Sequence, residues 1–307
     1  MSKDIATGKY PKDSASSIRR RIDGFAIING VLLTLVSLLC ILPLIHIAAV
    51  SFSSSSAAAA GLIKLWPVEF TLKSYEYVGG REEFWRAMLV SVQRIAIGTP
   101  LNLLLIVLVA YPLSKESGQF AFRSIYAWVF FIPLLFNGGM IPWYITIKQF
   151  GLLDSIWALV LPGAVPIFSV VLMLNFFRQT PKELEEAAVM DGAGQWTVLW
   201  RVFIPISMPA LATLALFSMV DNWNSWFDGL ILMNNPMNYP LQSYIQTIVV
   251  QGDFGAMTRE DLMNLSQISD RTLKASQIFL GTLPIIMAYP FLQKYFVKGI
   301  VVGSVKG

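Results

Sequence analysis

Long apolar runs alternate with short polar stretches along most of this chain. The runs fall at 25–50, 87–113, 124–147, 156–177, 203–222 and 273–296. Each is near the ~20 residues that a helix needs to cross a hydrocarbon layer about 30 Å thick. The pattern predicts an all-α membrane protein with six transmembrane helices. Pro133, Gly138, Gly139 and Pro142 interrupt the third run, so its outer end is expected to be broken or re-entrant. Residues 223–250 are also fairly apolar, but Asn222, Asn224, Asp228, Asn234, Asn235 and Pro236 break them up. They are expected to form the outer end of the fifth span and a surface loop. Prolines recur inside the runs, among them Pro100, Pro162, Pro166, Pro205, Pro209, Pro284 and Pro290. Membrane helices tolerate these where neighbours satisfy the freed carbonyls.

The polar stretches between the runs differ in kind. Segment 51–86 opens with SFSSSSAAAAG, a low-complexity sequence expected to be mobile or a poorly ordered turn. Segment 234–272 is the longest outer loop, and loops of that length are usually functional or disordered. The stretch Pro181–Ser207, PKELEEAAVMDGAGQWTVLWRVFIPIS, is charged and rich in helix formers. Thr180 is placed to cap a helix, with Pro181 at its first position and Glu183 near a capping box. Gly192 and Gly194 suit a helix end with positive φ, and a second helix is expected from about Gln195 into the fifth span.

Composition agrees with the membrane reading. Of 307 residues 55% are hydrophobic and 14% charged, against about 25% charged in soluble domains. The net charge of +4 does not argue for nucleic acid, because basic residues in such a chain mark its cytoplasmic side. The run 25–50 is too long for the apolar core of a signal peptide and follows Arg19, Arg20 and Arg21. It is therefore expected to stay as the first span. With six spans, the N-terminal arm, loops 114–123 and 178–202 and the end of the chain from Lys294 carry fourteen Lys and Arg, the opposite side seven. That bias puts both termini and loop 178–202 in the cytoplasm. The expected organisation is an N-terminal arm 1–24, a first helix 25–50, an outer segment 51–86, a core 87–296 with outer loop 223–272, and a tail 297–307.

Candidate chemistry is sparse. A single cysteine, Cys40, excludes an internal disulfide, and a single histidine, His46, excludes a histidine metal cluster. Ionisable residues in the runs include Arg94 and, at the outer end of the fifth, Asp221, with no acid or histidine chain for a proton relay. No phosphate-binding loop, HExxH or GxSxG is present. The chain is expected not to be an enzyme and not to hydrolyse ATP itself. Amides and aromatics beside the spans, Asn137, Trp143, Tyr144, Asn175, Asn222, Trp223 and Asn224, could line a path for a polar solute such as a sugar. They could equally be interfacial anchors and interhelical hydrogen bonds.

The stretch EAAVMDGAGQWTVLWRVFIP resembles the signature E-A-A-x3-G-x9-I-x-L-P of bacterial ABC importer permeases. Glu186, Ala187, Ala188, Gly192 and Pro205 match, while Val202 and Ile204 replace the Ile and Leu. FTLKSY, AYPLSK, WNSWFDGLI and QKYFVKGIVVGSVKG are similar to the carbohydrate-uptake members, of the maltose-transporter second-permease type. AAGLIKLWP and NGGMIPWY look closer to permeases for complex or uronate-containing oligosaccharides, such as those derived from pectin or alginate. The resemblance implies a type I importer permease fold in a bacterial cytoplasmic membrane. It implies a coupling helix seated on a separate ATPase subunit, with Glu185, Glu186, Ala187, Ala188, Met190, Asp191, Gly192 and Pro205 as the coupling set. It implies that Ser304, Val305, Lys306 and Gly307 touch the ATPase dimer, and that the outer loop before the last span meets the binding protein. The implied partners are a second, different permease, two ATPase subunits that bind ATP and Mg, an extracytoplasmic solute-binding protein and the lipid bilayer. The rival reading is a self-contained secondary transporter or channel for a small polar solute.

Overall fold

The computed structural model describes residues 24–116, 118–136, 138–247 and 269–304, which are helical, with no strand among them. The chain divides into two units, Met1–Ile45 and His46–Gly307. The first unit holds most of α1 (Gly24–Ser51), a 28-residue helix with no acidic or basic side chain in its first or last turn. At 1.5 Å per residue it is about 42 Å long, more than a hydrocarbon core requires.

The second unit is built on α4 (Glu82–Ser114), whose first turn carries Glu82 and Glu83 at the positive end of the helix dipole. Short helices α2 (Ser55–Ala59) and α3 (Lys73–Gly79) precede it. After it come α5 (Arg123–Leu135), α6 (Met140–Gln149), α7 (Ile156–Val160), α8 (Ile167–Gln179) and α9 (Lys182–Met190). Then α10 (Gln195–Val198), a π-helical turn Leu199–Phe203 and α11 (Ile204–Ile206) lead into α12 (Met208–Asn224). The remainder is α13 (Phe227–Leu232), a 3-10 turn Pro236–Asn238, α14 (Leu241–Gln246) and α15 (Asp270–Ser304). The C-terminal half of α4 forms the main core: Ile106, Ala110 and Leu113 pack with Val170, Met173 and Phe177 of α8, with Val198 and Phe203, and with Leu214 of α12. Edge-on contacts among Tyr111, Phe177 and Phe203 close it at one end.

The spans are more broken than the apolar runs suggest. Among the described residues Ile27–Ser51 and Glu82–Ser114 are long and apolar enough to cross a membrane, and two bent pairs raise the number to four. In the third run α5 and α6 meet at 119°, the break expected there. The run 156–177 is not one helix but α7 and α8, separated by Leu161–Pro166, where Pro162, Gly163 and Pro166 stop the helix. The run from 203 bends by 80° at Ser207, between Pro205 and Pro209.

Two loop expectations are corrected. The serine-rich segment is folded. Ser53 Oγ donates to Ala49 O and accepts from Val68 N–H, and Ser54 caps α2 and donates to Glu69 at 2.5 Å. Ser55 Oγ accepts the Ser269 N–H at the start of α15, and Ala57 and Ala58 are buried with Ala49 and Ile63. Small side chains allow that close packing, and the hydroxyls satisfy the turning backbone. Residues 225–247 are a surface loop only in part: Asn234, Asn235 and Pro236 are exposed, but Leu232 and Leu241 are fully buried, and Met233 and Ile245 nearly so. Gly229 permits this, because a Cβ there would lie 2.1 Å from Ser243 Oγ.

Candidate functional site

None of the nine residues of α9 is buried; α5 shares that exposure, but it is apolar where α9 is charged. The helix is stopped by a paired C-terminal turn, with Gly192 N–H on Val189 O (2.9 Å) and Ala193 N–H on Ala188 O (2.9 Å). Gly192 adopts φ +84°, the conformation that this motif requires and that residues with a Cβ avoid. Gly194 has φ −74° and instead precedes α10. Thr180 does not cap α9. It ends α8 with an extended backbone, as a residue before proline must, and Pro181 precedes the helix with no side-chain cap.

The adjacent acids on α9 point to different surroundings. Glu186 is exposed, whereas Glu185 turns inward and accepts from Lys115 Nζ at 2.5 Å. The Lys115 ammonium also lies 4.2 Å from the centre of the Tyr111 ring and 4.7 Å from that of Phe203. Burial lowers the Lys115 pKa, and its hydrogen bond and charge interaction with Glu185 oppose that shift. At the start of α9, Lys182 donates to Glu116, which pulls the Glu116 carboxyl below its usual range. Beyond the Gly192 turn, Tyr111 Oη donates to Gln195 Oε1 at 2.8 Å. Arg123 and Arg178 both donate to Leu113 O, closing the end of α4. Lys115, Glu116, Arg123, Arg178, Lys182, Glu185 and Gln195 line an open cleft of about 1040 Å³ between α9 and the end of α4.

Glu186, Ala187 and Met190 of α9 are exposed, the last to 87%, and Glu186 and Met190 border the same cleft. A methionine so placed on a short charged helix leaves its apolar area uncovered by this chain. Asp191 and Gly192 are exposed beside it, Ala188 is half-buried against the main core, and Pro205 is exposed within α11.

The polar residues of the spans gather elsewhere. Arg94, 5% exposed, makes a bidentate ion pair with Asp228, and its Nε donates to Asn222 Oδ1 at 3.3 Å. Asn222 Nδ2 donates to Ser218 O (2.8 Å) and Asn102 Oδ1 (3.3 Å), and Ser218 Oγ donates to Asn102 Oδ1 (2.9 Å). Asn102 Nδ2 then donates to Gly163 O and Ala164 O, two carbonyls freed where α7 and α8 separate. Asp221 is exposed and is not the partner of Arg94.

Of the solute-path residues, Asn222 joins this network and Trp223 is buried with its indole N–H on Gly281 O. Trp143 and Tyr144 pack against Ile147, Ala158, Leu159 and Leu232. Asn175 on α8 and Asn224, the last residue of α12, are exposed, and Asn137 lies outside the described residues. So do Val305, Lys306 and Gly307; Ser304 ends α15. Sequence reasoning missed Lys115, Tyr111, Gln195 and Asp228 as members of these clusters. The AYPLSK stretch carries the first two, but nothing local shows that they reach across to α9 and α10.

A family model described as binding-protein-dependent transport system inner membrane component matches residues 77–302. Protein LplC of Bacillus subtilis is 39% identical over 283 residues, covering 92% of this chain and 95% of that protein. A polygalacturonan/rhamnogalacturonan transport system permease protein, YtcP, of the same organism is 36% identical, covering 92% and 97%. Among solved structures, a bacterial ABC transporter involved in the import of the acidic polysaccharide alginate contains a chain that superposes with a TM-score of 0.82. That match is 32% identical and covers 90% of this chain and 98% of that one. An exposed, glycine-stopped helix between membrane segments, the motif on it and these full-length likenesses agree: the chain belongs to the binding-protein-dependent transport system inner membrane components, the permease subunits of ABC importers.

Proposed function

We propose that this chain is one of two different permeases of an importer that moves an acidic oligosaccharide into the cytoplasm of a bacterium. It crosses the membrane six times, with both termini inside, and α9 docks on an ATPase subunit that binds ATP and Mg. The observation that carries this reading is the split within α9: Glu185 is fastened to Lys115, while Glu186, Ala187 and Met190 are exposed and left without cover from this chain. The acidic cargo is inferred from the relatives, one named for polygalacturonan and rhamnogalacturonan and one involved in alginate import. An extracytoplasmic binding protein delivers it near the outer loop 234–272, and the last residues, Ser304–Gly307, meet the ATPase dimer.

Gly192→Asp tests the docking. The substitution asks a side-chain-bearing residue to hold φ +84° and sets a new charge beside the exposed face. Residues other than glycine pay about 1–2 kcal/mol in that region, equivalent to roughly tenfold in an equilibrium constant. The variant is expected to reach the membrane, to lose the co-purifying ATPase subunit and to take up labelled oligogalacturonide at least several-fold more slowly. Wild-type uptake with the ATPase retained refutes the assignment.

A further inference from the structure

The residues around α9 are attached to one stretch, the C-terminal end of α4 and the two residues that follow it. Lys182 is held by Glu116, Glu185 by Lys115, and Gln195, past the turn, by Tyr111. Those three anchors fall within six positions of one another, and α4 is the helix against which α8 and α12 pack in the main core. Their strengths differ. The Lys182–Glu116 pair is exposed on both sides, at 73% and 68%, and exposed pairs contribute little. The Tyr111–Gln195 bond is between neutral groups. Lys115 alone combines a desolvated charge, a carboxylate partner and two aromatic faces. A buried ammonium left without its partner is costly, so α9 cannot leave Lys115 without a large penalty.

We propose that Lys115 is a positioning residue for transport: it latches the docking helix to α4, so that α9 and α4 move as one body when the ATPase moves. This rests on the docking of α9 proposed above. Transmission then runs from the exposed face of α9 through Glu185 and Lys115 into α4, and from there to α8 and α12. The exposed motif residues contact the ATPase, while an inward residue outside the motif converts that contact into movement of a span.

The test uses the assembled complex of this permease with its partner permease and ATPase, in a Cys40→Ser background. Spin labels go on Glu183→Cys in α9 and Leu104→Cys in α4, both exposed. Their separation is measured without nucleotide and with ATP trapped by vanadate. With Lys115 present the separation is the same in both states. In Lys115→Met it shifts between states, because α9 follows the ATPase while α4 lags, and oligogalacturonide moved per ATP hydrolysed falls about tenfold, a usual size for coupling between sites. Lys115→Arg keeps the charge and stacks on both rings, and restores the constant separation. If Lys115→Met does not assemble, Glu185→Gln is expected to give the same state-dependent separation. A separation independent of state in Lys115→Met or Glu185→Gln overturns the latch, as does failure of Lys115→Arg to restore it. Failure of the docking itself is read separately, from retention of the ATPase subunit by Gly192→Asp.

Discussion

Glu185 and Glu186 are neighbours in sequence and opposite in situation, one pinned to Lys115 and one exposed. A helix turns by about 100° per residue, so two adjacent acids that border the same cleft still meet different neighbours. Which of them turns inward was not legible locally, because it depends on a lysine 70 positions away. Arg94 shows the same limit. Its place in a span marked it as notable, but the acid close by in the expected topology was Asp221, and its partner is Asp228. The network around it makes an asymmetric prediction. In Arg94→Met the Asp228 carboxylate keeps the Ser225 hydroxyl and the Gly229 N–H as donors. In Asp228→Leu the guanidinium keeps only the amide oxygen of Asn222 and the carbonyl of Ser225 among described residues. Removing one partner of a buried pair costs about 3–5 kcal/mol when the other charge is stranded. Asp228→Leu is therefore expected to lie in that range and Arg94→Met below it, as read from denaturation of the detergent-solubilised protein. Equal losses would mean that the two donors do not support the carboxylate.

At the scale of elements, the prolines announced that spans would break but not where the freed backbone would find partners. The break between α7 and α8 is satisfied by Asn102 on α4, whose amide reaches Gly163 O and Ala164 O. Asn102→Leu removes both donors and the acceptor used by Ser218 and Asn222. At about 1–3 kcal/mol for each buried polar group left unpaired, a loss of several kcal/mol is expected, with faster hydrogen exchange at 161–166 than at α12. Unchanged exchange there would mean that water replaces the amide. The helical class, the helix α9, its glycine stop and the break in the third run were legible because each rests on local propensity. The split of 156–177, the burial of Leu232, Met233, Leu241 and Ile245 and the folded serine segment were not. Those depend on packing from distant parts of the chain: Ser55, for example, receives the backbone of Ser269. Low complexity was a poor guide, since alanines and serines are also what close backbone packing needs.

At the scale of the molecule, the question is where the work of transport enters. A transporter driven by an ion gradient needs ionisable groups that change partners inside the membrane. Here the described charge within the core, Arg94, is committed to Asp228 through two hydrogen bonds and further held by Asn222, an arrangement that suits a fixed joint better than a cycling site. The charged groups placed to respond to a partner lie instead at the end of α4 and on α9. Energy is therefore expected to arrive through α9 from ATP hydrolysed elsewhere. In vesicles containing the assembled complex, ATP inside, and a loaded binding protein on the other face, uptake of oligogalacturonide should continue at the same rate when a protonophore and a sodium ionophore collapse both gradients. It should stop when ATP is replaced by a non-hydrolysable analogue. Uptake that instead follows the gradients and ignores ATP would transfer the work to the span interior, and would require Arg94 and Asp228 to separate during the cycle.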